Sequence, residues 1–279
     1  MAPVLSPVVN VETAHIYVYE QELSQNVRKF SILRKNSAKV PVVLKRISNQ
    51  EEVCMLQKCV HSSIVQVLES CATRIGVEFV VLEFVESDLS RVLSTGMEFN
   101  PLDVTRQLLR AIAHIHKCGV IHSNLEPSNV LLSETGKVKV CDFSHGQFFG
   151  NVVSSRTPIG ALWYRAPELL FGVSYDWNID AWSAGCIVYE MVFGEALFHG
   201  ATTDNDVIRQ ICAYYFVAPE YSDWGALLSK TDTAQLCMTR NTRCEADVAT
   251  ILVDVVTTLL SIDPGRREVD LGSIPKKLR

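Results

Sequence analysis

The sequence contains no glycine before Gly76, and none of its 9 cysteines is spaced as Cys-x-x-Cys. Without glycine, this first stretch of chain cannot form a glycine-rich loop, whose backbone could approach a phosphate without clashes from Cβ atoms. The odd number and scattered positions of the cysteines argue against a disulfide framework and against a zinc site. Buried free thiols are the favoured interpretation.

Long hydrophobic runs are also missing. The longest apolar stretches, Val77–Val85 and Ile187–Phe198, are each interrupted by two glutamates, so neither is expected to cross a bilayer. The N-terminus lacks the basic and then apolar pattern of a secretory signal. There is no excess of positive charge either, because 26 basic and 31 acidic residues give a net charge of −5. These absences predict an intracellular protein, cytoplasmic or nuclear, that binds neither membrane nor nucleic acid.

The composition is typical of a globular protein. The first third of the chain is predicted to form mainly β strands. The 279 residues are 48% hydrophobic and 20% charged, which suits one large or two small domains. One short helix is predicted in this third, because residues 48–51, Ser-Asn-Gln-Glu, form a capping-box sequence. Five runs typical of β strands surround it, at Ala14–Glu20, Val27–Leu33, Val40–Ile47, Val65–Cys71 and Val77–Phe84.

From Asp88 onward the periodicity becomes helical. The clearest helix carries apolar residues from Val104 to Ile115 and ends at Cys118-Gly119. Residues 130–132 and 138–140 predict a small hairpin, and further helices are predicted at Ile179–Phe193, Asp204–Tyr214 and Ala246–Leu260. Strands followed by helices predict an α+β fold of two lobes, residues 1–85 and 86–279, with a ligand cleft between them.

Five motifs follow one another in an order that resembles the eukaryotic protein kinases. They are Val-Val-Leu-Lys at 42–45, Ile-His-Ser-Asn-Leu-Glu-Pro-Ser-Asn-Val-Leu-Leu at 121–132, Val-Cys-Asp-Phe-Ser at 140–144, Leu-Trp-Tyr-Arg-Ala-Pro-Glu-Leu-Leu at 162–170, and Asp-Pro-Gly-Arg-Arg at 263–267. The resemblance extends from about Ile16 to Leu278, and the stretch at 162–170 resembles the cyclin-dependent kinases of the CMGC group. It implies a β-rich N-lobe with a five-stranded sheet and a larger helical C-lobe.

The resemblance also implies a nucleotide site. Lys45 stands at the position of the lysine that holds the phosphates, and Asn129 and Asp142 stand at those of the two magnesium ligands. Glu52 stands at the position of the glutamate that pairs with this lysine, although Glu51 or Glu52 could instead favour the helix N-terminus. Lys45 could equally be a solvated strand lysine, and Asp142 a local cap. The implied adenine pocket and hinge comprise Val43, Leu82, Glu83, Val85 and Leu131.

Several catalytic positions depart from the family pattern. Asn124 replaces the aspartate that accepts the substrate proton, and Glu126 replaces the lysine that meets the transferring phosphate. An amide has no useful basicity, and loss of a general base costs about 10²–10⁴ in rate. Ser123 replaces the basic residue of the catalytic loop, and Ser144 replaces the glycine of Asp-Phe-Gly. These changes predict a chain that is not an enzyme.

Nucleotide binding is expected to be weak at best, with no cofactor bound in function. Val43 replaces the alanine under the adenine ring, and the strands at residues 21–31 carry no glycine. The short interval between Lys45 and Glu52 implies that most of the N-terminal half of the helix is missing, so cyclin docking through this helix is not expected.

The activation segment, Ser144–Ile159, also departs from the family. Gln147 replaces its basic clamp, so Ser154, Ser155 and Thr157 are poor candidates for activating phosphosites. Phe148 and Phe149 could anchor a protein partner or pack inward.

Residues that support the architecture are retained. His122 is expected to pack in the core with Phe143, Leu56 and Val67 of the apolar spine. Asp180 is expected to anchor the catalytic loop, and Glu168 is expected to form a buried ion pair with Arg267.

Three hypotheses follow. The leading one is a pseudokinase that binds other proteins as a scaffold or allosteric regulator. The alternatives are a weak or atypical ATP-dependent serine/threonine protein kinase and a binding module that nucleotide controls without phosphoryl transfer.

Overall fold

The N-terminal part of the chain is an antiparallel sheet. The computed structural model describes residues 8–9, 16–24, 27–33, 40–47, 49–72, 78–150, 159–215, 242–267 and 269. The strands of this sheet are β1 (Val8–Val9), β2 (Ile16–Ser24), β3 (Val27–Leu33), β4 (Val40–Arg46), β5 (Val67–Ala72) and β6 (Glu78–Glu83). They lie in the order β1-β2-β3-β4-β6-β5. The described sheet therefore has six strands where five were expected, because β1 is too short to show an alternating pattern.

The helix inserted between β4 and β5 is α1 (Gln50–Lys58). Its N-cap is Asn49, whose side chain accepts a hydrogen bond from the Glu51 backbone N–H at 2.9 Å. The capping-box prediction placed the cap at Ser48, one residue early, and Ser48 lies outside the described residues. One face of α1, including Met55 and Leu56, is buried against the rest of the core.

The C-terminal part is helical. Its helices within the described ranges are α2 (Leu89–Thr95), α3 (Pro101–Lys117), α4 (Pro167–Leu170), α5 (Asn178–Phe193), α6 (Asp204–Tyr214) and α7 (Ala246–Leu259). The helix α5 is buried on nearly all sides and packs against α3 and α7, so it forms the centre of this core. None of the helices in these ranges is long and apolar enough to cross a membrane.

Short strands and turns lie where the sheet meets the helices. They are β7 (Ser87–Asp88), β8 (Val120–Ile121), β9 (Val130–Leu132), β10 (Val138–Val140) and β11 (Gln147–Phe148), with 3-10 turns at Pro127–Asn129, Leu162–Tyr164 and Pro264–Arg266. The hairpin β9–β10 forms as predicted. The backbone N–H of Val65 donates to the carbonyl of Val140 at 2.9 Å, and that of Val140 donates to Ser63 at 2.9 Å. These bonds fix the segment after α1 against β10, and the predicted two-lobed α+β fold is confirmed.

Candidate active site

Three charged side chains meet where the two lobes face each other. Lys45 on β4 forms ion pairs with Glu52 on α1 and with Asp142, which follows β10. The Lys45 Nζ lies 2.5 Å from Asp142 Oδ1. Glu52 is only 2% exposed, and an isolated carboxylate so deeply buried would be costly without a partner. Lys45 is therefore not a solvated strand lysine, and Glu52 does more than favour the helix N-terminus.

The charges of this triad, Lys45, Glu52 and Asp142, are adjusted by burial and by one another. Burial alone would lower the pKa of the Lys45 ammonium, but Asp142 and Glu52 outweigh it and raise that pKa above its ordinary value. Burial would raise the pKa of Asp142, yet Lys45 overcomes this and lowers it to about 2. Burial raises the pKa of Glu52 in spite of Lys45. Lys45 and Asp142 consequently stay charged at neutral pH.

The catalytic loop at 121–132 is held by a buried carboxylate. Asp180 on α5 accepts hydrogen bonds from the backbone N–H groups of His122 and Ser123, at 2.8 and 2.9 Å. His116 on α3 contacts the same carboxylate through Nε2 at 2.9 Å. Two of the groups that bind Asp180 are backbone amides, so the carboxylate fixes the path of the loop. Asp180 thus occupies the anchoring place predicted for it.

His122 lies in the core beneath the loop. Its ring is fully buried and packs edge-on against Phe143 at 4.8 Å between centroids. The Nε2 atom donates to the carbonyl of Cys141 at 2.9 Å, and Nδ1 accepts from the backbone N–H of Asn124 at 3.3 Å. Burial lowers the pKa of His122, so the ring is neutral. This tautomer makes His122 a link between the loop and residues 141 and 143 on either side of Asp142, rather than a proton carrier.

The predicted metal ligands lie together with Asn124. The Asn129 Nδ2 donates to the Asn124 carbonyl at 2.9 Å, and the Asn124 Nδ2 lies 3.4 Å from Asp142 Oδ2. Since the Asn129 amide nitrogen is used inside the loop, its carbonyl oxygen remains for a cation. Carboxylate and amide oxygens are the ligands that Mg²⁺ prefers. The donor set of Asn129 and Asp142 therefore fits magnesium.

Glu126 and Ser144 are two of the positions that depart from the family pattern. The Glu126 Oε1 accepts a hydrogen bond from the Ser128 hydroxyl at 2.7 Å. The Ser144 hydroxyl lies 3.2 Å from His145 Nδ1, and hydrogen bonding from Ser144 adds to the lowering of the Asp142 pKa, after the larger effect of Lys45. Ser144 thus remains beside Asp142, while the Glu126 side chain is held by Ser128.

The predicted adenine side is formed by β4, β6 and β9. Val43 and Leu82 face each other in the sheet register and are both buried, while Val85 and Leu131 are half-buried. Glu83 Oε1 accepts from Lys139 Nζ at 2.6 Å and from the Gln66 N–H at 2.7 Å. Crowding of the adenine ring by Val43 stays a prediction.

Two further groups were missed by the sequence reasoning. His116 contacts Asp180 from the last turn of α3, and nothing in its local pattern marks it. Arg165 donates to the carbonyls of Ile159 and Gly160 at 3.0 and 2.8 Å and pairs with Asp204. Arg165 lies within the family motif at 162–170, and that position could have marked it as a functional residue. Arg165 therefore holds the end of the activation segment.

The aromatic residues of the activation segment differ in exposure. Phe148 packs against the core beneath Lys58, whose Nζ lies 5.3 Å from the ring centroid. Phe149 is 39% exposed and stacks on Trp177 at 5.0 Å. Of the two expected anchors, Phe149 is the exposed one. The phosphosite candidates at 154, 155 and 157 lie outside the described residues.

Gly160, near the end of the activation segment, lies close to the catalytic loop. Its φ is +76°, and a Cβ there would lie 2.7 Å from the Ser123 carbonyl oxygen. We expect Gly160→Ala to lower the free energy of unfolding by about 1–3 kcal/mol more than Gly172→Ala, by urea denaturation. Gly172 has a similar φ of +63° but open space around it, so its variant carries only the conformational strain of about 1–2 kcal/mol. Equal losses in the two variants would disprove the close contact.

Comparison with known proteins identifies the family. The sequence matches the protein kinase domain over residues 21–268. It is 34% identical over 187 residues to the CTD kinase subunit alpha of Schizosaccharomyces pombe, covering 64% of this chain and 31% of that protein. It is 32% identical over 232 residues to human cyclin-dependent kinase 11B, covering 79% of this chain and 29% of that protein. A probable cell division protein kinase of Encephalitozoon cuniculi is 31% identical over 181 residues, which cover 61% of this chain and 68% of that protein.

A solved structure shares the fold. The crystal structure of the yeast RNA Pol II CTD kinase CTDK-1 complex contains a chain with a TM-score of 0.71 and 20% identity. The match covers 90% of this chain and 88% of that chain. The arrangement of a sheet lobe and a helical lobe around a lysine–carboxylate triad is that of the protein kinases. The chain belongs to the protein kinase family and to its cyclin-dependent kinase-like branch.

The expectation that this chain is not an enzyme is wrong. Its relatives are named as CTD and cyclin-dependent kinases, and the kinase domain match spans nearly all of the sequence, so the comparisons place this chain among enzymes. The substituted residues Asn124 and Glu126 motivated that expectation, but the triad of Lys45, Glu52 and Asp142, on which phosphoryl transfer depends in protein kinases, is assembled. The chain spans less than a third of the Schizosaccharomyces pombe and human relatives.

Proposed function

We propose that this chain is an ATP-dependent serine/threonine protein kinase with an atypical catalytic loop and slow turnover. The observation that carries the proposal is the triad, in which Lys45 pairs with Glu52 and Asp142 at once. In protein kinases the lysine–glutamate pair and the metal-binding aspartate must both be in place for phosphoryl transfer. Replacing a buried ion pair by apolar residues is often neutral or stabilising, so retention of a carboxylate as buried as Glu52 supports a functional role.

The phosphoryl donor in this proposal is ATP with magnesium. Lys45 would hold the phosphates, and Asn129 and Asp142 would hold the cation, which neutralises charge on the phosphate oxygens. Affinity for the nucleotide is expected to be low. Val43 would crowd the adenine ring, and the strands β2 and β3 supply no glycine to the flap.

The acceptor is a serine or threonine hydroxyl of another protein. Asn124 stands where the family's proton acceptor stands, and its amide can orient a hydroxyl but cannot take up its proton at neutral pH. Its Nδ2 instead faces Asp142 at 3.4 Å. The proposed activity therefore requires a proton acceptor other than Asn124, either another carboxylate or the substrate itself.

Partners and location complete the proposal. We expect protein partners, because one chain with the same fold comes from the yeast CTD kinase CTDK-1 complex. They would use surfaces other than α1, because this helix has only 9 residues. An intracellular location, cytoplasmic or nuclear, stays a prediction from the sequence.

Two measurements test this function. Purified chain should transfer radiolabelled phosphate from ATP to a peptide from the RNA polymerase II CTD, or to a general serine/threonine substrate, above an Asp142→Ala blank. Millimolar MgATP should raise the melting temperature, since a ligand at a hundred times its Kd adds about 2.7 kcal/mol to stability. Transfer at the level of the blank would refute the kinase, and a melting shift without product would indicate a nucleotide-controlled binding module instead.

A further inference from the structure

We propose that Met55 and Gly146 are positioning residues of this kinase, because their contact sets the place of α1 and so keeps Glu52 on Lys45. The inference rests on the proposed kinase function and concerns how its site is held together. Neither Met55 nor Gly146 is expected to touch nucleotide or substrate. Both act through the ion pair that Glu52 forms with Lys45.

The shortened helix α1 rests on residues 143–148, which lead into the activation segment and which we call the platform. At the start of the platform, the backbone N–H of Phe143 donates a hydrogen bond to Glu52. At its end, the Lys58 Nζ lies 5.3 Å from the ring centroid of Phe148. Residues three apart in a helix share one face, and these two residues of α1 lie two such steps apart. One face of α1 therefore follows the platform.

Met55 lies midway along this face and meets the platform at Gly146. A Cβ atom at Gly146 would lie 2.8 Å from Met55 Sδ, 2.9 Å from Met55 Cε and 3.0 Å from the Phe143 carbonyl oxygen. Gly146 is not one of the glycines with a positive φ, so an L residue could adopt its backbone conformation. The missing side chain of Gly146 therefore serves the contact with Met55 rather than the path of the backbone.

The platform is fixed at both ends, so it does not yield to a crowded contact. Phe143 is fully buried and packs against His122 at 4.8 Å between ring centroids. The Gly146 N–H donates to the Phe143 carbonyl at 2.9 Å, and the next residues form β11, which pairs with β8. Met55 is 0% exposed, so its thioether has no open space to turn into. Crowding at this contact would therefore displace α1.

Displacement of α1 would disturb the triad. Glu52 lies one turn of helix before Met55 and forms its ion pair with Lys45 on β4. In protein kinases this ion pair must be in place for phosphoryl transfer. A misplacement of about 1 Å caused far from the chemistry can cost about 10²-fold in rate. The contact of Met55 with Gly146 thus controls the rate although neither residue reaches the reacting groups.

Gly146→Ala tests the positioning role. We expect kcat to fall by about 10- to 10²-fold, as for a small misplacement of the site. Met55→Val removes both of the crowded methionine atoms, so adding it to Gly146→Ala should recover most of the lost kcat. The matched control is Gly185→Ala in α5, where a Cβ atom would lie 2.8 Å from Leu260 Cδ2. It crowds the helical core to the same degree and should keep wild-type kcat below its melting temperature.

A double-mutant cycle with Glu52→Gln separates positioning from a general loss of stability. If the crowding acts through the ion pair, Glu52→Gln should change kcat and the melting temperature much less in Gly146→Ala than in the wild type. In Gly185→Ala, Glu52→Gln should keep its full effect on both.

Three results would overturn the positioning role and leave the kinase function intact. They are wild-type kcat in Gly146→Ala, a loss that Met55→Val does not recover, and additive effects of Gly146→Ala and Glu52→Gln on kcat. If the wild type itself does not exceed the Asp142→Ala blank, the proposed function fails. The melting-temperature cycle then decides whether the contact holds Glu52 in its ion pair, and additive shifts there would overturn the inference as well.

Discussion

An Arg267→Met variant is expected to lose about 3–5 kcal/mol of unfolding free energy, because it breaks a fully buried ion pair. The Arg267 side chain is 0% exposed and that of Glu168 is 1% exposed. Their bonds are bidentate, at 2.6 and 3.0 Å. Methionine fills most of the volume but leaves Glu168 as a buried charge without its partner. Urea denaturation at neutral pH measures the loss.

Arg267 also donates hydrogen bonds to three backbone carbonyls. Its guanidinium donates to the carbonyls of Ser261, Ile262 and Asn178, at 2.7, 3.1 and 3.2 Å. It therefore ties the start of α5 to the chain that follows α7, and its loss should loosen the centre of the helical lobe.

The matched control is the neighbouring arginine. Arg266 is 60% exposed and forms only a peripheral pair with Asp263 at 3.4 Å, so Arg266→Met should cost about 0–1 kcal/mol. Adding Glu168→Leu to Arg267→Met should recover part of the loss, because the orphaned charge is removed. A change below about 1 kcal/mol in Arg267→Met, similar to that of Arg266→Met, would contradict the role of the pair.

The secondary structure could be predicted wherever it depends on residues that are close in sequence, such as helix caps and short turns. The helix at Asp204–Tyr214 was predicted with its observed bounds, and its capping box joins Thr203 and Asp206, which are neighbours in sequence. The hairpin of β9 and β10 likewise depends on a short turn. The strand Val8–Val9 was missed, because two residues are too few to show a periodic pattern. Their pairing with β2 is what defines them as a strand.

The site was less accessible to sequence reasoning, because its contacts are made across the fold. Asp142 is 97 residues from Lys45, and only the packing of the two lobes brings them together. The family resemblance supplied the positions of both, but it could not show that the shortened α1 still presents Glu52 to the lysine. His116 was missed for the same reason, since Asp180 lies 64 residues away.

The second large effect is expected for Lys45→Met, which should reduce phosphoryl transfer by at least about 10²–10³, the usual cost of losing an electrostatic stabiliser. Methionine has a similar length but cannot attract phosphate. The MgATP-induced melting shift should shrink as well. The matched control is Lys137→Met in the exposed hairpin turn, which should retain wild-type transfer.

Loss of Lys45 also leaves Glu52 buried without its partner, so a misfolded variant could imitate an inactive one. The double variant Lys45→Met/Glu52→Gln removes that charge and separates the two effects. Because the raised pKa of Glu52 already reflects the cost of burying its carboxylate, the neutral amide should restore stability toward the wild type. It should not restore phosphoryl transfer, since the lysine that holds the phosphates is still missing. Wild-type transfer in a stable double variant would show that the triad maintains the lobes and has no part in the chemistry.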